Sequence, residues 1–143
     1  MSVGYKFLEH TTDAYVEACG RTMEEAFGYA ALSLFDCMCN VNSISRSVAE
    51  EIEVTAGNEL RLLYDWLEAL LLKFELEGKV YSGFDVTKIS KDGASLSLHA
   101  IISGEKYDRR RHGAKVEVKA VTFHRMEVLT ENASVVLRFV LDL

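Results

Sequence analysis

Residues 58–78 read NELRLLYDWLEALLLKFELEG, and this stretch carries the strongest helix signal in the chain. Its large apolar side chains recur at steps of three and four residues, which is the spacing of one face of an amphipathic helix. Asn58 is the predicted N-cap, and Gly78 is the predicted stop because glycine tolerates the left-handed conformation. The predicted inner face consists of Leu60, Leu63, Leu67, Leu70, Leu71 and Phe74, with Trp66 beside them. A helix with one apolar face requires a second layer to cover it.

A second amphipathic helix is predicted nearer the start of the chain. Thr22 and Glu25 have the spacing of a capping box, in which the hydroxyl accepts from the Glu25 amide and the Glu25 side chain reaches back. The helix is expected to run to about Cys39. Its apolar stripe is Met23, Ala26, Phe27, Ala30, Leu34 and Met38. Two short strands, residues 5–9 and 14–19, precede it and are joined by a polar turn.

The rest of the chain is predicted to be mostly sheet, because its apolar residues alternate with a period of two. The predicted strands cover residues 47–55, 84–90, 94–103, 115–121, 125–129 and 135–143. Lys91-Asp92-Gly93 and Glu131-Asn132 are the turn signals between neighbouring strands. We therefore predict an α+β fold, a single domain over residues 1–143 in which two amphipathic helices cover one face of a largely antiparallel sheet.

The composition of the chain argues against several classes of function. The net charge of −6 works against broad binding to a phosphate backbone, which needs clustered Lys and Arg. No apolar run approaches the roughly 18 to 20 residues of a membrane span, and no signal-peptide pattern opens the chain, so a cytoplasmic location is expected. Cys19, Cys37 and Cys39 fit neither a zinc knuckle nor a disulfide framework. We predict that they are reduced thiols that pack as small hydrophobes.

A metal site is predicted where the last strand ends. Asp142 and the α-carboxylate of Leu143 place two negative charges together, and Asp13 follows the first predicted strand as a third oxygen donor. Oxygen donors suit a hard divalent cation, calcium first and magnesium or manganese as alternatives, whereas zinc would favour His or Cys. The alternative is that Asp13 caps its turn and that Asp142 is an exposed charge at a strand end.

Other polar residues are weaker candidates for contact with phosphate or a partner. Lys119 is one, because an ammonium is a compact charge for phosphate, and a solvated strand lysine is its alternative. His124 and His10 have the pKa range of proton carriers, but a hydrogen-bonded structural histidine is the more common case. A basic turn that could contact RNA or an acidic partner, or remain a solvated loop, contains Arg109, Arg110 and Arg111.

Several blocks, in order along nearly the whole chain, resemble the archease family. They are His10-Thr11-Thr12-Asp13, Thr22-x-x-Glu25-Ala26-Phe27, Leu63-Tyr64-Asp65-Trp66-Leu67, Gly104-Glu105-x-Tyr107-Asp108, Glu117-Val118-Lys119-Ala120-Val121-Thr122-Phe123-His124 and Val140-Leu141-Asp142-Leu143. The resemblance implies an accessory protein, itself not an enzyme, that activates the GTP-dependent RNA-splicing ligase of tRNA splicing by promoting its guanylylation and multiple turnover. It also implies a calcium-type site at Asp13, Asp142 and Leu143, and contact with RNA only through the ligase.

Two further functions remain open from the sequence. One is a general chaperone, or a modulator of a tRNA-modifying methyltransferase, that binds through an exposed apolar patch. The other is a metal-dependent hydrolase that uses the carboxylates to hold its metal, although two-metal chemistry would need more acids to converge.

Overall fold

The computed structural model describes residues 3–8 and 13–143. Its elements are, in order, β1 (Gly4–Leu8), β2 (Ala14–Gly20), α1 (Met23–Met38), β3 (Val48–Ala56), α2 (Glu59–Glu77), β4 (Lys79–Asp92), β5 (Ser95–Lys106), α3 (Arg109–His112), β6 (Ala120–Val121), β7 (Glu127–Glu131) and β8 (Ser134–Asp142). The strands pair antiparallel and the two long helices pack on them, so the predicted α+β class is confirmed.

The strands form two sheets, whereas the sequence analysis expected one. Sheet A has the order β1-β2-β8-β6, and β7 also pairs with β8, on the side opposite β2. Sheet B has the order β3-β5-β4. The difference arises because α1 buries more than one stripe: Ala31, Phe35 and Cys37 are buried beside the predicted face. A helix that is apolar over so wide an arc is covered from two sides.

The two long helices join the sheets into one core. α1 packs against β2 of sheet A and β4 of sheet B, and α2 packs against β3 and β6. The Trp66 indole, which is fully buried, donates to the Phe27 carbonyl oxygen at 3.0 Å, so a polar contact also ties α2 to α1. No helix in the described ranges is long and apolar enough to cross a membrane.

The helix ends follow the predicted capping chemistry with one change. The Thr22 hydroxyl accepts from the Glu25 amide at 3.1 Å, and Asn58 caps α2 by accepting from the Arg61 amide at 2.8 Å. The Glu25 carboxylate, however, accepts from the Arg21 amide at 2.8 Å, one residue before the predicted donor. Gly78 ends α2 in the left-handed conformation, with φ 65° and ψ 36°. The capping residues were therefore predicted correctly from sequence.

The inner face of α2 differs from the prediction at its first turn. Leu62 is 1% exposed and Leu60 is 41% exposed, although the sequence pattern placed Leu60 inside. Leu60 lies beside the open edge strand β7, in a surface groove that also contains Met126 and Val128. The first turn of α2 therefore lies at the edge of the core.

The predicted strand over residues 115–121 is shorter than expected. Only Ala120–Val121 pairs with β8. Before it, the amides of Lys115 and Val116 donate to carbonyl oxygens at the C-terminal end of α1, at 2.9 and 3.2 Å. This segment satisfies carbonyl groups that the last helical turn leaves open, and it does not extend the sheet.

The three cysteines are free thiols, as predicted. Cys37 and Cys39 are buried and Cys19 is half-buried. Burial raises the pKa of the Cys37 thiol to about 12 and that of Cys39 to about 11. Both thiols therefore stay protonated and unreactive at neutral pH.

Candidate metal centre

Strand pairing brings the early acid and the last strand together. β2 and β8 pair antiparallel, and Ala14 lies opposite Leu141. Asp13 immediately precedes this ladder and Asp142 ends β8, so the same register places these two residues side by side. Both are half-buried. The two carboxylates thus come from opposite ends of the sequence and meet at one end of sheet A.

The alternation of side chains shows which face of the sheet carries the acids. Ala14 and Leu141 pack into the core, so their neighbours Asp13 and Asp142 lie on the opposite, outer face. The Leu143 side chain packs back against the core. Its carboxyl group therefore remains at the end of the strand, one residue beyond Asp142.

β6 brings a third segment to this end of the sheet. Ala120 lies opposite Asp142, and the amide of the preceding residue, Lys119, donates to the Asp142 carbonyl oxygen at 2.7 Å. The Lys119 side chain is exposed. Among the predicted phosphate-contact residues that the structure describes, Lys119 is the one at the strand end with Asp142.

The donor set fits a hard cation in its chemistry. In the part of the chain that the structure describes, no three His, Cys, Asp or Glu side chains converge to hold a metal. The candidate set contains two such side chains, Asp13 and Asp142, and requires the carboxyl group of Leu143 as its third donor. All three supply oxygen, which suits calcium, magnesium or manganese better than zinc. The metal itself stays a prediction.

The predicted histidines lie elsewhere or cannot be placed. His124 is exposed in the turn between β6 and β7, closed by a hydrogen bond from the Met126 amide to the Phe123 carbonyl oxygen at 3.1 Å. The turn follows Thr122, whose amide donates to the Val140 carbonyl oxygen at 3.3 Å, so its backbone lies two or more residues before Asp142 along β8. His10 lies outside the described residues. The proposed role of either histidine in contact with phosphate or a partner stays a prediction.

Aromatic stacking fixes the same turn to α2. The rings of Phe123 and Tyr64 are nearly parallel, with centroids 4.1 Å apart and planes 8° apart. The Arg61 guanidinium lies 5.4 Å from the Tyr64 centroid and 5.8 Å from the Phe123 centroid. It also pairs with Asp65 at 3.1 Å, so Asp65 is a polar position on the surface of α2.

The predicted basic turn is a four-residue helix, α3, and its arginines differ in role. Asp108 caps it by accepting from the amides of Arg110 and Arg111, at 3.1 and 3.2 Å. Arg111 is exposed but forms an ion pair with Glu105 at 2.5 Å. Arg109 and Arg110 are exposed. The sequence could not separate these roles, because Glu105 becomes a neighbour only when the chain folds.

Glu105 is the centre of this polar network. Besides Arg111, it accepts from the Ser45 amide at 2.7 Å and contacts Nε2 of the fully buried His112 at 2.8 Å. The Asp108 amide donates to Nδ1 of His112 at 2.9 Å, so the ring proton lies on Nε2 and is donated to Glu105. Hydrogen bonds from Arg111, His112 and Ser45 lower the pKa of Glu105 to about 2.

Sequence reasoning missed one contact between a turn and β2. The Arg125 guanidinium lies 5.6 Å from the centroid of the Tyr15 ring, two residues after Asp13. Arg125 was predicted to begin a strand, but it lies in the turn before β7 with φ 55°. No sequence pattern marks such a position for arginine, because glycine or asparagine is typical there.

Comparison with known proteins gives a consistent result. The model of the Archease protein family (MTH1598/TM1083) matches residues 5–143. "Protein archease" of Pyrococcus furiosus is 41% identical over 124 residues, which are 87% of each chain. "Protein archease" of Sulfolobus acidocaldarius is 34% identical over 139 residues, 97% of this chain and 98% of the relative.

Two solved structures resemble the fold. The solution structure of Methanobacterium thermoautotrophicum protein 1598 has a TM-score of 0.84 and 34% identity, and it covers 98% of this chain and 99% of its own. The crystal structure of a Thermotoga maritima protein, described as an archease and possible chaperone, has a TM-score of 0.57, 21% identity and 96% coverage of each chain. The second likeness concerns the fold alone.

Proposed function

Since the chain belongs to the archease family, we propose that it is an accessory protein that activates the GTP-dependent RNA-splicing ligase. It promotes guanylylation of the ligase and allows repeated turnover, and it reaches RNA only through the ligase. It does not catalyse the joining itself. A divalent cation, calcium first, is held by Asp13, Asp142 and Leu143.

The observation that supports this proposal most directly is the pairing of β2 with β8. It sets Asp13 beside Asp142 on the outer face of sheet A, and β6 adds Lys119 at the same strand end. Three donors leave positions open on a hard cation, which ordinarily takes six or more oxygen ligands. A partner or its nucleotide can fill such positions, whereas an ion used only for structure would be enclosed by protein.

Each residue of the site has a separate task in this proposal. Asp13, Asp142 and the Leu143 carboxyl group hold the ion, and the Lys119 ammonium binds a phosphate or carboxylate oxygen close by. The bound ion would supply positive charge that stabilises the phosphates of the nucleotide during transfer to the ligase. Sheet A orients the donors, because two of the three are fixed by adjacent strands.

The experiment follows guanylylation of the ligase directly. The ligase is incubated with radiolabelled GTP and RNA ends in substrate excess, with and without this protein, and both the covalent guanylate and the joined RNA are counted. We expect stimulation by the wild-type protein, and at least a tenfold loss of stimulation in Asp13→Ala and Asp142→Ala. Asp92→Ala, which removes an exposed acid from the β4–β5 hairpin, is the matched control and should stimulate like wild type.

Two other outcomes would replace the proposal. Turnover of GTP or RNA by the protein without ligase would favour the metal-dependent hydrolase. Stimulation of an unrelated tRNA methyltransferase, equal in wild type and both acid variants, would favour a general chaperone. The exposed apolar side chains of Leu72 and Leu76 on α2, 43% and 78% exposed, are then the surface to change.

A further inference from the structure

Arg125 occupies a backbone position that is unfavourable for arginine. The Met126 amide donates to the Phe123 carbonyl oxygen at 3.1 Å, which closes a four-residue turn with Arg125 as its third residue. Its φ of 55° lies in the left-handed region, where glycine or asparagine is usual. Such conformations persist only when the surrounding structure holds them, and they concentrate at functional sites. Arginine at this position therefore indicates a role for its side chain that glycine could not provide.

The turn directs this side chain across the outer face of sheet A. Tyr15 lies opposite Val140 in the β2–β8 register, one row from the pair of acids, and the guanidinium lies 5.6 Å from the Tyr15 ring centroid. Val140 is 1% exposed, although it alternates with residues that face the core and is not part of the core cluster. The contact with Tyr15 places the Arg125 guanidinium at the Tyr15–Val140 row, where the aliphatic part of its side chain can cover Val140. Its charged end thus lies over the row next to Asp13 and Asp142.

The guanidinium is available for a ligand. Arg125 is exposed, and the contact found for its side chain within residues 3–8 and 13–143 is the one with the Tyr15 ring. A guanidinium stacked on an aromatic ring keeps its planar fork of N–H groups free at the rim. With a divalent ion in place, that ion, Arg125 and Lys119 together outweigh the three carboxylates in charge. The strand end then favours an anion, in a protein whose net charge is −6.

We propose that Arg125 is a phosphate-binding residue that positions a phosphate group of a nucleotide or of an RNA end beside the ion held at Asp13 and Asp142. The inference rests on the proposed function for the ion and extends it to the ligand. The fork of Arg125 takes two phosphate oxygens in parallel, and Lys119 binds from the β6 side as a point charge. The contact with Tyr15 already restrains the guanidinium, so less side-chain freedom is lost when the phosphate binds.

A purely structural role for Arg125, covering Val140, makes different predictions. Arg125→Gly relieves the left-handed strain but removes the charge, so the turn should remain folded while phosphate binding falls. Arg125→Lys keeps the aliphatic cover and the charge but loses the fork. Lys91→Gln is the matched control, because it removes the same charge from an exposed residue in the β4–β5 hairpin.

The test measures binding without ligase. Isothermal titration calorimetry is run with calcium alone, with GTP in calcium excess, with guanosine, and with a short RNA bearing a 3′-phosphate. We expect Arg125→Gly to weaken binding of GTP or the RNA about 10- to 100-fold, the range for a charge-assisted hydrogen bond. Calcium affinity should be equal or higher, because a nearby positive charge is gone, and the thermal midpoint should not fall. Guanosine should bind weakly to every variant, and Lys91→Gln should match wild type.

The ligands that respond identify the source of the phosphate. Loss of GTP binding alone assigns the site to the nucleotide, and loss of RNA binding alone assigns it to the RNA end. Equal binding of both ligands by wild type and Arg125→Gly, or no binding of either in calcium, overturns the inference. If Arg125→Gly loses ligase stimulation but not phosphate binding, Arg125 contacts the ligase instead, and the inference fails while the activator function stands. If the wild-type protein fails to stimulate the ligase but Arg125→Gly loses phosphate binding, the activator function fails while the inference for Arg125 stands.

Discussion

Glu105 shows how a single carboxylate can join segments that are far apart in the chain. Arg111, His112 and the Ser45 amide all donate to it, and together they join α3 to the loop after α1. Because the donors stabilise the ionised form, they hold the pKa of Glu105 at about 2, below its ordinary value of 4.5. The group therefore binds its proton more weakly in the folded state than in the unfolded state.

Glu105→Gln should lower stability at neutral pH, and the loss should depend on pH. The contribution of the ionised carboxylate is complete above the unfolded pKa of about 4.5 and disappears as pH falls from there towards 2. Denaturant unfolding at pH 7, 5, 4 and 3 should show the difference between wild type and Glu105→Gln shrinking below pH 4.5. Glu51→Gln is the control, because Glu51 is an exposed residue of β3. A gap between wild type and Glu105→Gln that stays constant down to pH 3 would contradict the role of charge.

For single residues, the sequence predicts the contacts that depend on neighbours in the chain. Thr22, Asn58 and Gly78 were assigned correctly, because capping and left-handed stops are local chemistry. Glu105 and Arg125 were not assigned their contacts. The first depends on a loop 60 residues away, and the second on a ring from β2.

Two strands of sheet B approach so closely at one position that the residue there must be glycine. Gly104 in β5 lies opposite Tyr81 in β4, next to a register shift in that strand. A Cβ atom added to Gly104 would lie 1.9 Å from the Val80 carbonyl oxygen and 2.7 Å from the Tyr81 Cα. Both are backbone atoms in a paired strand, so neither can move without disturbing the sheet.

Gly104→Ala should therefore destabilise the fold by about 2–4 kcal/mol. The clash cannot be relieved by a side-chain rotation, because backbone atoms cause it. Gly57→Ala is the matched control, since a Cβ there meets no atom within 4 Å, and its effect should lie within about 0.5 kcal/mol of wild type. Chemical denaturation monitored by circular dichroism measures both. An effect of Gly104→Ala as small as that of Gly57→Ala would mean that β4 and β5 are not so closely paired.

Elements were predictable to the extent that their periodicity was regular. Both long helices and most strands lie close to their predicted positions, because the apolar period distinguishes helix from strand. The division into two sheets was not predicted, since alternation marks a strand but not its partner. Residues 115–119 alternate like a strand, yet the amides of Lys115 and Val116 pair with the end of α1.

The arrangement of sheet A depends on the last strand of the chain, β8. β8 lies inside sheet A, with β2 on one side and β6 and β7 on the other. Fixing β8 therefore fixes Asp142 relative to Asp13, and the fold creates the pair of acids without any local motif. The sequence could predict which acids meet, because each adjoins a predicted strand. It could not predict that a turn would bring Arg125 to the same face.

Calcium should reverse the effect of Asp142→Asn on thermal stability. In chelator the neighbouring carboxylates repel one another, so Asp142→Asn should melt at the same temperature as wild type or slightly above it. In calcium the wild type should gain about 2.7 kcal/mol when the free ion is 100 times its dissociation constant, because the ion binds only the folded state. Asp142→Asn and Asp13→Asn should gain little, whereas the hairpin control Asp92→Asn should gain as much as wild type. Scanning calorimetry in calcium and in chelator measures these shifts. A wild-type midpoint that is the same in both, or an Asp142→Asn variant that responds fully, would show that the acids at the end of sheet A do not hold the ion.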